Sequence, residues 1–155
     1  MTRLFAAALA SLLLASRPAA AQLLEVPTVG EQAAVKALAA AEAEARRNSW
    51  SVSIAVVDHA GVLLAFKRMD GASAASADLS QGKARTAVRF RRPSKAVEEL
   101  VAQRPPFLAL DGVVAIEGAV PVMANGRVVG AVGVSGATSQ QDAQVAAAGA
   151  AAVTP

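Results

Sequence analysis

The spacing of hydrophobic and polar positions changes several times along this chain, and each change marks an element. Ala34, Leu38, Ala41 and Ala45 recur at helical spacing on one face, predicting a helix from about Thr28 to Asn48. Thr28 and Glu31 have the spacing of a capping box at its start. From Ser51 to Asp58 the pattern alternates, with Val52, Ile54 and Val56 on one side. After His59-Ala60-Gly61 an apolar run resumes from Val62 to Met69, and the pair predicts a β-hairpin. Asp70 to Ser73 breaks the strand, and Ser76 is placed to cap a helix through Phe90. Pro93 opens a second short helix, which Arg104-Pro105-Pro106 ends. Val113–Ile116 and Ala119–Met123 read as short strands. Asn125-Gly126 is a two-residue hairpin signal leading into Val128–Val134, and Thr138 or Ser139 caps a last helix to about Val153.

The predicted order is α-ββ-αα-βββ-α. Strand pairs separated by helices, without alternating β-α-β units, imply an α+β domain: a five-stranded antiparallel sheet flanked by helices. Residues 22–155 form this single domain. Residues 1–21 read as a signal peptide, with Arg3 in a basic start, an apolar run from Leu4 to Ala15, and Ala19-Ala20-Ala21 before the cut. The expected location is periplasmic or secreted, with no membrane span once the leader is removed.

Removing that leader also removes Arg3 and Arg17 and no acid, so the formal charge of +3 weakens as a sign of any polyanionic partner. Nucleic acid is not expected. The chain has no cysteine, which excludes disulfides, thiol catalysis and thiolate metal sites. An exported domain of this size without disulfides must be stabilised by packing, or by association of its subunits.

Several positions carry chemistry. Gly133-Val134-Ser135-Gly136 resembles a nucleophile elbow but lacks the Gly-x-Ser-x-Gly spacing. With one histidine in the chain, a serine hydrolase is not supported. Gly130, Gly133 and Gly136 also miss the dinucleotide fingerprint. The loop is either a carboxylate-holding turn, built from backbone N–H groups with Ser135, Thr138 and Ser139, or a tight connection capped by its own side chains. His59 sits in a predicted turn, as a surface residue or as a ligand for a transition metal or haem iron. Met69 and Met123 are softer ligand candidates, or core filling. Lys67, Arg68 and Asp70 form either a carboxylate clamp or a tie between strand and helix. Lys83, Arg85, Arg89, Arg91, Arg92 and Lys95 form a basic run without an acid, either an anion-binding footprint or a solvated face.

The segments Ile54–Asp58, Gly61, Phe66–Ala72 and Gly82–Ala87 occur in order, followed by Gly118, Pro121, Gly130–Gly136, Gln141 and Asp142. In that arrangement the chain resembles the GlcG/HbpS family of haem-binding and haem-degrading-type domains, also seen as the C-terminal domain of PduO-like proteins. The resemblance runs from about Val29 to Ala152. It implies a five-stranded antiparallel sheet, homo-oligomers that are often octamers, and haem as a cofactor in some members. Asp58, Arg68, Met69, Asp70, Gly71, Lys83, Thr86, Gly133, Ser135, Gly136 and Asp142 occupy the family pattern.

The expectation is therefore an exported oligomer that binds haem or a small carboxylate. Its site lies between the Gly133–Gly136 loop and the Arg68–Asp70 strand end, with Lys83 or Thr86 from the helix nearby. Arg68 and Lys83 hold carboxylates, Ser135 and the backbone amides of the Gly133–Gly136 loop donate hydrogen bonds, and His59, or more weakly Met69, reaches the iron. An enzyme acting on haem or a small carboxylate, and a scaffold without a small ligand, are the rival classes. No complete catalytic motif is present.

Overall fold

The computed structural model describes residues 25–154, so the expected signal peptide lies outside the described residues. Helix α1 (Glu31–Arg47) is followed by β1 (Ser53–Asp58), β2 (Leu63–Arg68), α2 (Ala74–Phe90) and α3 (Ser94–Gln103). A 3₁₀ turn (Pro105–Ala109) precedes β3 (Ala119–Ala124), β4 (Arg127–Ser135) and α4 (Ser139–Ala151). The strands form one antiparallel sheet in the order β2-β1-β4-β3.

Alternation along the strands sorts their side chains onto two faces. Ile54, Val56, Val132 and Val134 meet the alanine face of α1 (Ala34, Ala37, Ala41, Ala45) and Val145 and Ala146 of α4. Each such valine or isoleucine, fully buried, stabilises the fold by about 1.5–3 kcal/mol. On the other face Val57, Ala119 and Ala131 meet Ala84, Ala87 and Val88 of α2. This second layer is built of small residues because α2 lies close to the sheet. A Cβ on Gly133 would collide with the Ser80 carbonyl oxygen and the Ala84 amide. The hydroxyls of Ser53 and Ser76 bridge the same layers at 2.8 Å.

Among the described residues the sheet has four strands, not the expected five. Val113–Ile116 is irregular although its apolar run has strand spacing. Side chains take the N–H groups of this connection: Val114 N donates to Thr86 Oγ1 (2.8 Å), Glu117 N to a Glu98 carboxylate oxygen (2.8 Å) and Ala119 N to Ser94 Oγ (2.9 Å). The segment is laced to α2 and α3, and β3 remains the edge. Two helix starts also differ from expectation. Gly30, not Thr28, is the N-cap of α1 and makes no side-chain cap bond, while Thr28 Oγ1 accepts from His59 N at 3.3 Å. Ser73, not Ser76, caps α2. The cap of α4 is Thr138, which forms a capping box with Gln141, and the helix stops at Ala151. The Asn125-Gly126 turn has positive φ at both residues, 49° and 73°, as a type I′ hairpin requires.

Candidate functional site

The two ends of the sheet hold the chemistry, about 17 Å apart by the rise along β1. At the end where β1 begins and β4 finishes, polar groups are buried and engaged with one another. Lys83 is 2% exposed; its Nζ donates to Asp142 Oδ2 at 3.0 Å and to the Val134 carbonyl at 3.1 Å. Asp142 Oδ1 accepts from Ala137 N at 3.0 Å, closing the loop between β4 and α4. Gly118, at φ 135°, leaves room for the ammonium, since a Cβ there would lie 2.7 Å from Lys83 Nζ. Thr86 Oγ1 donates to the Gly82 carbonyl and accepts from Val114 N. Gly136, at φ 140°, passes against the Ser51 carbonyl. Ser135 is buried, Arg68 and Asp70 are exposed at the same end of the sheet with β1 between Arg68 and Ser135, and Met69 is buried in the large core. The structure thus places Arg68, Asp70, Ser135 and Gly136 at one end, with Lys83 held inside by Asp142. It does not bring His59 to them.

At the opposite end the turn after β1 is built by Asp58. One carboxylate oxygen accepts from Ala60 N (2.9 Å) and Val62 N (2.8 Å), and Gly61 adopts φ 82°. This Asx-type turn holds His59 outward at the rim of a cleft of about 550 Å³, within the usual range for a small-molecule site. The other walls come from the segment before α1 (Glu25, Val26, Pro27), the end of α2 (Val88, Arg91) and the β3–β4 hairpin (Met123, Gly126, Arg127, Val128). The cleft therefore joins an imidazole, a thioether and two guanidinium groups to an apolar wall. Among the described residues neither Arg91 nor Arg127 has a hydrogen-bond or ion-pair partner through its side chain.

The basic run of α2 and α3 divides between these environments. Lys83 is buried, Arg89 donates to the Asp111 carbonyl and Lys95 pairs with Glu117, whereas Arg91 lines the cleft. Sequence reasoning did not single out Arg127 as a ligand group. The Asn125-Gly126 signal preceding it was the available clue, because a tight hairpin turn fixes where the next side chain emerges. No group of three or more His, Cys, Asp or Glu side chains fit for a metal ion occurs among the described residues. No described helix is long and apolar enough to cross a membrane.

An antiparallel four-stranded sheet flanked by helices, with a histidine–arginine cleft at one sheet end, defines the α+β class of this domain. Residues 29–151 match the family model for the haem degrading protein HbpS-like family, and the chain belongs to that family. It is 48% identical to protein GlcG of Escherichia coli strain K12 over 108 residues, 69% of this chain and 81% of that protein. A crystal structure of a Streptomyces reticuli HbpS double mutant superposes with a TM-score of 0.81 at 38% identity, covering 88% of this chain and 97% of that one. The structure of a PduOC:heme complex gives a TM-score of 0.74 at 24% identity, over 81% of this chain and 94% of that chain, and shares the fold.

Proposed function

We propose that this protein is an exported, homo-oligomeric domain that binds haem or a closely related tetrapyrrole in the His59 cleft. The observation that carries the reading is that the chain's sole imidazole lines the same cleft as Met123, Arg91 and Arg127, against Val26, Val88 and Val128. The residues fit such a ligand. An imidazole nitrogen is an iron donor, guanidinium groups complement propionate carboxylates, and an apolar wall takes the macrocycle face. Haem, when bound, supplies a redox-active iron and a visible chromophore. The family's description as haem-degrading supports haem as the ligand. The basic start, apolar run and small-residue cut that read residues 1–21 as a leader support export.

The open edge of the sheet supports self-association. Among the described residues β2 pairs only with β1, and Leu63 (37%) and Phe66 (39%) along it and Val62 (60%) just before it are exposed. Unpaired edges of this kind are ordinarily covered, and a second subunit would cover it. Light scattering on the purified domain is expected to show an oligomer that Phe66→Glu weakens; a monomer in the unmodified protein counts against this part.

The ligand is tested by titrating residues 22–155 with haemin and following the Soret band, with His59→Ala in parallel. The expected result is a saturable shift that is altered or lost in the variant. A saturable shift identical in His59→Ala removes the imidazole from the iron. Absence of any saturable change overturns the haem reading.

A further inference from the structure

We infer that the cleft selects ligands carrying two carboxylates, with Arg91 and Arg127 as the groups that recognise them; this rests on the cleft being the ligand site proposed above. The argument starts from the backbone of Arg91. Helix α2 ends in a Schellman motif, in which Arg91 N bonds to the Val88 carbonyl and Arg92 N to the Ala87 carbonyl, both at 3.1 Å. Arg91 occupies the left-handed position of that motif, at φ 53° and ψ 39°. Glycine ordinarily sits there, because a Cβ disfavours this conformation. An arginine kept at a position suited to glycine needs a reason outside the motif, and strained positions of this kind cluster at ligand sites.

The surroundings supply the reason. The Arg91 side chain lines the cleft and has no polar partner among the described residues, unlike Arg89, which donates to the Asp111 carbonyl, and Arg85, which donates to Gln81. Arg127 follows the Asn125-Gly126 turn and reaches the same cleft from the sheet side. Glu25 is the one acid among the lining residues, so the cleft holds an excess of positive charge. Two guanidinium groups supplied by different elements match a ligand with two carboxylates better than a monoanion or a neutral macrocycle. Each guanidinium would form a charge-assisted pair with one carboxylate, and no bond is made or broken.

The test is a two-by-two comparison of Arg91→Gly against the unmodified protein, each titrated with haemin and with its dimethyl ester, whose carboxylates are capped. Arg91→Gly is expected to keep or raise the melting temperature while haemin affinity falls about tenfold, the scale of one partly exposed charged hydrogen-bonded pair. The ester is expected to bind both proteins alike and more weakly than haemin binds the unmodified one. Arg127→Gln, which leaves the α2 cap untouched, is expected to show the same ligand discrimination. Equal affinity of the unmodified protein for haemin and ester overturns the inference while leaving the haem reading standing. A lowered melting temperature in Arg91→Gly with unchanged haemin affinity also overturns it, assigning Arg91 to the helix end. No saturable haemin binding by the unmodified protein overturns both.

Discussion

The two ends of the sheet use ionisable side chains in opposite ways. At the Ser53–Ser135 end, a lysine and an aspartate are almost wholly withdrawn from water and bonded to each other and to backbone. At the His59 end, two arginines and a histidine border an open cleft, and the arginine side chains lack polar partners among the described residues. Buried charge survives only when it is paired and hydrogen-bonded, so the first arrangement belongs to the fold. Solvated charge on a concave, partly apolar surface costs the fold little and remains available to a ligand. A charged residue in a family pattern is therefore not by itself a sign of a ligand; what its polar atoms already touch decides.

The sharpest way to break this contrast is to unpair the closed end. Lys83→Met leaves Asp142 buried without its cation, and Asp142→Asn leaves the ammonium without its anion. Each is expected to cost about 3–5 kcal/mol in denaturant unfolding, as for other buried pairs that lose one partner. Replacing both with apolar residues should restore part of the loss, because neither charge then remains stranded. If Lys83→Met unfolds at the same denaturant midpoint as the unmodified protein, the pair is not structural and Lys83 returns as a candidate ligand group.

The next effect tests whether the glycine loop serves packing or a ligand. Gly133→Ala would press a methyl against the backbone of α2 at Ser80 and Ala84. Rigid backbone cannot yield as a side-chain tip can, so about 1–3 kcal/mol of destabilisation is expected from overpacking. Haemin affinity of the folded fraction should stay unchanged, since the cleft lies at the other end. A folded Gly133→Ala protein of normal stability that no longer binds haemin would reverse the assignment of the two ends.

Much of the layer architecture was legible because it is written in periodicity. Ala34, Ala41 and Ala45 form the predicted stripe, Ile54 and Val56 share the predicted side, and Asn125-Gly126 turns as expected. The fifth strand was not legible. Val113–Ile116 has the local pattern of a strand, but its fate is decided by Thr86, Glu98 and Ser94, hydroxyl and carboxylate groups distant in sequence. The Thr28–Glu31 box failed for a similar reason, since the Thr28 hydroxyl is taken by the His59 amide. The cleft was harder still. It depends on β1 lying beside β4, a neighbour relation across two helices, which sets the His59 turn near Arg127. Arg91 joined a visible basic run, but only the left-handed end of α2 directs it to that cleft rather than to solvent.

The smallest expected effect separates burial from charge as the cause of the contrast. Lys67 of β2 reaches Glu42 of α1 at 2.6 Å, and Arg46 shares the same carboxylate. Hydrogen bonds from Lys67 first, and from Arg46 next, hold the Glu42 carboxyl below its ordinary value of 4.5. A carboxylate with a depressed folded-state value adds stability that is present above the unfolded value and is lost as pH falls through the folded one. Lys67 is 40% exposed, so screening limits the pair to about 0.5 kcal/mol at neutral pH. Lys67→Met is thus expected to lower stability slightly at pH 7 and to differ less from the unmodified protein as pH falls below the carboxylate range. The Lys83→Met difference at pH 7 should be several times larger although both substitutions remove one ammonium from one carboxylate. If the two losses were equal, withdrawal from water would not be what distinguishes the closed end, and the division between structural and ligand-facing charge would have to be drawn on other grounds.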